Sequence, residues 1–150
     1  MPLPPFNAHG DLPEGIYQAT LQEVIERFGD ASPQRELVTA RLIRVYEIAQ
    51  HTGKLQRFVI FGSYATANPA PNDVDIILVM RDDFTEQDFT EEALQIFDHL
   101  RAQHEMGASI FWTRPGAVLL ETVDEFVAHW QIKRDHSQRG IVEIISEKTE

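Results

Sequence analysis

Two aspartates stand at the beginning of an apolar segment. Asp73 and Asp75 are separated by one residue and lead into the run Ile76–Met80. In a β-strand, residues two positions apart project from the same face, about 7 Å apart along the chain. An unpaired buried carboxylate is energetically costly, so we expect both side chains at the mouth of the strand, in contact with water or a cation. Two carboxylates in this arrangement can bind a hard divalent cation such as Mg²⁺ or Mn²⁺.

A glycine and a serine end the preceding apolar segment, where Phe58–Phe61 leads into Gly62-Ser63. Backbone N–H groups and the serine hydroxyl at such a strand end can bind an anion, because glycine lets the backbone approach closely. Gly-Ser alone is more often a turn, and Asp-X-Asp alone is more often a solvated strand end or a cap. Nine residues separate the two motifs here. This combination favours joint binding of Mg²⁺ and the phosphates of a nucleoside triphosphate.

The hydrophobic pattern predicts the elements that must position these motifs. Helical spacing, capping residues and glycine stops predict helices at 21–28, 33–51, 86–103 and 117–133. Apolar runs between turn residues predict strands at 57–61, 74–80, 108–113 and 140–145. Helices combined with a small sheet indicate the α+β or α/β class. Four of the eight prolines fall within residues 1–19, which predicts an irregular N-terminal arm before a single domain over 20–150.

The composition excludes several classes of function. Thirteen Lys and Arg against 24 Asp and Glu give a formal charge of −11, which disfavours a long nucleic acid as partner. The absence of cysteine excludes disulfides and cysteine-based zinc sites. The N-terminus lacks the pattern of a signal peptide, and no apolar run has the length of a membrane span. We therefore expect a soluble, cytoplasmic protein with no membrane partner.

The two motifs together resemble the signature of the DNA polymerase β-like nucleotidyltransferase superfamily. That signature is an apolar residue, Gly, Gly or Ser, a spacer of around ten residues, and two acids separated by an apolar residue. Here it stands as Phe61-Gly62-Ser63, nine residues, and Asp73-Val74-Asp75-Ile76. More loosely, the chain is similar to a small bacterial branch of minimal nucleotidyltransferases, through segments 12–16, 20–29 and 62–66.

This resemblance implies an α+β fold, with a mixed β-sheet and helices packed on one face. It also implies Mg²⁺-dependent transfer of a nucleoside monophosphate from a nucleoside triphosphate to a hydroxyl of a protein or small molecule. In that role, Asp73 and Asp75 are the catalytic metal ligands. Gly62 and Ser63 bind the phosphates.

The chain departs from the superfamily at the third carboxylate, which catalytic members carry on a later strand. The corresponding segment here begins Ala108-Ser109, and neither residue is acidic. Glu105 can replace that acid only if its loop turns inward. The alternative function is therefore a catalytically impaired nucleotide-binding protein, or an antitoxin-like partner of a toxin-like protein. Some minimal members of the superfamily are antitoxins that adenylylate their toxin, so the two functions overlap.

Other chemically capable residues have simpler interpretations. No pair of the six histidines has the spacing of a metal site, so we interpret them as surface residues. Trp112 and Trp130 are interpreted as core or edge aromatics rather than as a platform for base stacking. Lys133, Arg134 and Arg139 either complement a helix end or contact phosphate.

Overall fold

The structure, a computed structural model, describes residues 3–29, 31–119, 121–133 and 135–146. Its strands are β1 (Ile16–Thr20), β2 (Leu55–Phe61), β3 (Val74–Met80), β4 (Ala108–Thr113) and β5 (Ile141–Ile145). Its α-helices are α1 (Leu21–Phe28), α2 (Pro33–His51), α3 (Glu91–Phe97), α4 (His99–Arg101) and α5 (Val123–Ala128). A π-helical turn spans Ala102–Met106, and 3₁₀ turns span Ser63–Ala65, Glu86–Asp88, Pro115–Ala117 and His129–Gln131.

The strands form one mixed sheet in the order β1-β5-β2-β3-β4. The β1/β5 and β3/β4 pairs are parallel, whereas β5/β2 and β2/β3 are antiparallel. The pairing places Phe61 of β2 opposite Asp75 of β3, and Asp75 opposite Ser109 of β4. The predicted α+β class with a mixed sheet is confirmed. The three strands that carry the sequence motifs are adjacent in it.

Three helices cover one side of the sheet, which we call the α2 face. Apolar residues of α1, α2 and α3 pack there against alternate strand residues, including Phe58, Ile60, Ile76 and Leu78. The helix starts follow from their caps: Thr20 and Glu23 form the predicted capping box. The Ser32 side chain accepts a hydrogen bond from a backbone N–H in the first turn of α2.

The opposite side of the sheet, which we call the α5 face, carries a second, smaller core. Val127 of α5 packs there with Val59, Ile77, Val79 and Ile141. The prediction that the helices pack on one face only is therefore wrong. The physical reason is that β2 and β3 are apolar at successive positions, so both of their faces need cover from water.

Two predicted helices are shorter than expected. Within the range 86–103, the backbone of Asp98 is extended and its side chain caps α4, so the segment breaks into several helical turns. Within 117–133, the α-helix begins only after Thr122, whose hydroxyl forms a capping box with Glu125. In both cases, local caps start a new helix inside a longer apolar pattern.

The N-terminal arm is less irregular than predicted. Ile16–Thr20 forms β1, which pairs with β5 in parallel, so the prediction is wrong for the last residues of 1–19. Leu12 is fully buried, and its carbonyl accepts a hydrogen bond from the Gly140 N–H. The arm therefore belongs to the packed structure. Within the described ranges, no helix is long and apolar enough to cross a membrane.

Candidate functional site

The turn after β2 brings the glycine motif against the aspartate motif. Gly62 has φ of 77° and ψ of −165°, and the 3₁₀ turn Ser63–Ala65 follows it. A Cβ atom at position 62 would overlap Oδ2 of Asp75. The position therefore requires glycine twice, once for its positive φ and once for the close approach. The backbone of the Gly62 turn lies directly beside the Asp75 carboxylate, so the two motifs are adjacent, as expected for neighbouring strands.

The two aspartates meet Ser109 of the neighbouring strand. Ser109 lies opposite Asp75 in the β3/β4 pairing, and its Oγ donates a hydrogen bond of 3.1 Å to Oδ2 of Asp73. Both aspartates are partly buried. The hydroxyl thus stands at the position on β4 where the resemblance leads us to expect an additional acid.

Glu105 does not fill that place. Its carboxylate accepts hydrogen bonds of 3.0 and 3.1 Å from Nε of Arg101 and is half exposed. No group of three or more His, Cys, Asp or Glu side chains is arranged for metal binding among the described residues. Asp73 and Asp75 therefore offer two carboxylates, the type of oxygen ligand that Mg²⁺ takes, and no third acid joins them among the described residues.

An open cleft of about 1020 Å³ lies over this part of the α5 face. A cleft of this size can hold a nucleotide, since small-molecule sites measure roughly 300–1,000 Å³. It is bordered by three of the four predicted site residues, together with aromatic and basic side chains. The lining residues that matter here are Gly62, Ser63, Asp75, Ser109, Phe61, Phe111, Trp130, His99, Gln103, Lys133 and Arg139.

Aromatic rings follow one wall of the cleft in a continuous series, which we call the aromatic row. The Phe61 and Trp130 centroids are 4.9 Å apart, Trp130 and Phe111 5.2 Å, and Phe111 and His99 5.0 Å. Trp130 packs against the smaller core of the α5 face, as predicted for a core or edge aromatic, and it also lies in this row. Trp112 packs on the α2 face against the rings of Phe84, Phe89 and Phe97, as predicted for a core aromatic. Alternation along β4 is the signal that separates Phe111 from Trp112.

His99 is part of the cleft rather than a simple surface histidine. Its Nδ1 lies 3.0 Å from the carbonyl oxygen of Ile110. Because a carbonyl oxygen only accepts, Nδ1 carries the hydrogen, and Nε2 of the neutral ring is an acceptor. The surface interpretation is confirmed for His51, which is exposed and whose Nδ1 lies 3.1 Å from Oε1 of Glu92.

The basic residues near the C-terminus converge on a buried acid. Asp11 is 7% exposed, and its carboxylate lies 3.1 Å from Nζ of Lys133 and 3.4 Å from NH1 of Arg139. Both cations also border the cleft. Asp135 borders the cleft as well, so the two positive charges at this end are matched by two carboxylates, those of Asp11 and Asp135. Arg134, the third basic residue of the prediction, lies outside the described residues.

A buried arginine, which the sequence analysis misses, supports the turn from behind. Arg35 of α2 is 2% exposed. Its guanidinium donates hydrogen bonds to four backbone carbonyl groups, those of Phe28, Tyr64, Thr66 and Asn68. Burial lowers the pKa of Arg35, and the nearby Tyr64 opposes that shift. The available signal was its position on the apolar face of α2, three residues before Val38.

The Tyr64 side chain also attaches the turn to α2. Its hydroxyl is 2.5 Å from Oγ1 of Thr39, and its ring is fully buried. Burial raises the pKa of Tyr64, while the Thr39 hydrogen bond and the Arg35 charge lower it. The turn that follows Gly62 is therefore fixed to α2 through both its backbone and a side chain.

The profile of one protein family matches most of the chain. The profile of a family of unknown function, DUF6932, matches residues 4–145, and the chain belongs to that family. The match includes residues 4–19 of the N-terminal arm and all five strands. No curated protein and no solved structure matches the chain significantly.

Proposed function

We propose that the protein binds Mg²⁺ with a nucleoside triphosphate and transfers the nucleoside monophosphate to a hydroxyl of a protein or small molecule. One observation carries this proposal: the backbone of Gly62 lies against the Asp75 carboxylate, at the edge of a cleft large enough for a nucleotide. A phosphate-binding turn and a cation-binding acid are thereby brought to the same point.

Each residue has a distinct role in this proposal. Asp73 and Asp75 hold Mg²⁺, which neutralises charge on the phosphates when it is bound with the nucleotide. Ser63 donates its hydroxyl and the turn donates backbone N–H groups to the phosphates. Arg35 keeps that turn in place and does not contact the nucleotide, because it is buried behind the loop.

The reaction is a substitution at the α-phosphorus. The acceptor oxygen forms a bond to this phosphorus, and the bond from the α-phosphorus to the oxygen that bridges to the β-phosphate breaks. Pyrophosphate leaves with the electrons of that bond, and the hydroxyl proton passes to solvent. Because the formal charge of the chain is −11, a long nucleic acid is disfavoured as the acceptor. A hydroxyl on a protein or a small molecule fits better.

The direct test is incubation with α-labelled nucleoside triphosphates and Mg²⁺ or Mn²⁺, with a cell extract as the source of acceptors. We expect labelled product from the wild type and none from the Asp73→Asn/Asp75→Asn variant. Asp83→Asn is the matched control, because Asp83 forms surface ion pairs with Lys54 and Arg81. Equal labelling by the wild type and the double variant would remove the catalytic proposal.

The hydroxyl of Ser109 favours a second candidate function, which is nucleotide binding without efficient transfer. A neutral donor stands there beside Asp73, where a third acid would help to deprotonate the acceptor. In this case the protein is a nucleotide sensor or an antitoxin-like partner of a basic, toxin-like protein. Calorimetry then shows binding of Mg-nucleotide without turnover, or co-purification shows a partner without nucleotide binding.

The Ser109→Asp variant separates the two candidates. If Ser109 limits catalysis, the new carboxylate next to Asp73 and Asp75 raises the rate of transfer. We expect Ser109→Asn, which adds similar volume without charge, to leave the rate unchanged or lower. If the wild type already transfers efficiently and Ser109→Asp does not improve it, the impaired-enzyme candidate is excluded.

A further inference from the structure

We propose that the aromatic row, formed by Phe61, Trp130, Phe111 and His99, is the binding site for the base of the nucleotide. The inference rests on the proposed function for the phosphate end of the ligand. It adds where the base lies and how strongly the protein distinguishes one base from another.

The position of the row supports this assignment. Phe61 directly precedes Gly62, so the row begins at the phosphate-binding turn. Phe111 follows Ser109 by two residues on β4, and the two side chains therefore share the α5 face with Asp75. A nucleotide whose phosphates lie at Gly62 and Ser63 has the row immediately beside it.

One ring of the row is exposed to solvent, and the other three are partly buried. Phe111 is 41% exposed and the neighbouring cleft residue Ile132 is 48% exposed. Large apolar side chains gathered in a concave site next to charged groups are typical of small-molecule sites. Aromatic rings of this kind bind nucleobases by stacking, because every base presents a flat π-face.

The chemistry of the row predicts weak selectivity among bases. Stacking by itself does not distinguish hydrogen-bonding edges, and purines offer more stacking area than pyrimidines. Gln103 is a polar side chain in the cleft, but its amide lies 3.4 Å from the Ser109 hydroxyl and it is not part of the aromatic row. We therefore expect all four common nucleoside triphosphates to bind, with the purine nucleotides tighter.

Tryptophan fluorescence reads the row directly. The chain has two tryptophans, and Trp112 is on the α2 face, so Trp112→Phe leaves Trp130 as the single reporter. The probes are Mg-ATP and Mg-tripolyphosphate, which share the phosphates but differ in the base. We expect Mg-ATP to quench Trp130 and Mg-tripolyphosphate to bind without comparable quenching. The same titrations with the unmutated protein test whether Trp112→Phe itself alters the structure or the nucleotide affinity.

Two variants of the row test its contribution to affinity. Phe111→Ala and Trp130→Leu each weaken Mg-ATP binding by about tenfold or more, the range measured for loss of one stacking ring. Binding of Mg-tripolyphosphate stays unchanged, which also shows that the variant is folded. Phe126→Leu is the matched control, because the ring centroids of Phe126 and Trp130 are 6.2 Å apart but Phe126 does not border the cleft.

The outcomes separate this inference from the proposed function. If wild type and row variants bind Mg-ATP and Mg-tripolyphosphate equally well, the base site is wrong and the phosphate site stands. If Phe126→Leu weakens Mg-ATP as much as Trp130→Leu does, packing rather than stacking explains the effect, and the inference is overturned. If neither ligand binds the wild type, both the inference and the proposed function are wrong.

Discussion

The two faces of the sheet are built from the same strands and differ in what they leave exposed. On the α2 face, alternate residues such as Ile76 and Leu78 are fully buried under helices. On the α5 face, the core around Val127 is small, and beyond it Asp75, Ser109 and Phe111 border an open cleft. Incomplete cover thus leaves room for a ligand on one face, while complete cover stabilises the fold from the other.

The largest expected effect is at the junction of the turn and the α5 face. Gly62→Ala introduces a Cβ atom that overlaps the Asp75 carboxylate, so nucleotide binding falls below detection in calorimetry. Gly53→Ala is the matched control, because Gly53 also has a positive φ, of 69°, but has nothing within 4 Å of the added atom. Both variants place an alanine at a positive φ, which L side chains rarely adopt. Equal nucleotide affinity in the two would contradict the assigned contact.

Substitutions on the two faces should lower the stability of the protein by different amounts. Ile76→Ala removes a fully buried side chain from the α2 face, and we expect it to lower the free energy of unfolding by about 2–5 kcal/mol. Phe111→Ala removes a larger but half-exposed side chain from the cleft, with an expected loss of about 1 kcal/mol. Denaturant titrations measure both values. A loss for Phe111→Ala as large as that for Ile76→Ala would mean that the row is a structural core.

The effect on nucleotide binding should be smaller than that of Gly62→Ala where the α2 face supports the turn. Arg35→Gln removes donors from buried carbonyl groups of the turn, and each unsatisfied buried group costs about 1–3 kcal/mol. Hydrogen exchange at the amides of residues 64–68 should become faster, and nucleotide affinity should fall. Arg44→Gln is the control, because Arg44 lies on the same helix in a half-exposed ion pair with Glu92. Unchanged exchange in Arg35→Gln would exclude the supporting role.

The smallest effect is a pH dependence at the start of α1. The hydrogen bond from the Thr20 backbone N–H lowers the pKa of the partly buried Glu23 below its ordinary value of 4.5. A folded-state pKa below the unfolded one stabilises the protein above about pH 4.5, and this contribution is lost as the pH falls through the folded pKa. Glu23→Gln should therefore flatten the fall in unfolding free energy on acidification. Glu26→Gln, which removes the same charge from the same helix, should not.

The sequence predicts the local parts of the site better than the parts formed by distant segments. The strand, turn and strand over 57–80 follow from adjacent residues, because a glycine, a serine and two alternating acids act within a short span. The capping box of α1 and the Ser32 cap of α2 are local in the same sense. The contact of Gly62 with Asp75 also follows, since antiparallel neighbours bring the two motifs to one edge of the sheet.

The missed features depend on contacts between residues far apart in the chain. The aromatic row joins β2, β4 and the turn after α5, so it requires the strand order and the position of α5 on the second face. Arg35 binds carbonyl groups about 30 residues away, and Asp11 pairs with Lys133 across most of the chain. Hydrophobic periodicity contains no information on these pairings, because it reports only which side of each element is buried.

The most direct test of the proposed site is calorimetric titration of nucleoside triphosphate into the full chain, with Mg²⁺ and with excess EDTA. We expect saturable binding by the wild type in Mg²⁺. Binding should be lost in EDTA and in the Asp73→Asn/Asp75→Asn variant, while Asp83→Asn binds like the wild type. Equal affinity in all four cases, or no binding by the wild type in Mg²⁺, would contradict the assignment of Asp73 and Asp75 to a Mg-nucleotide site.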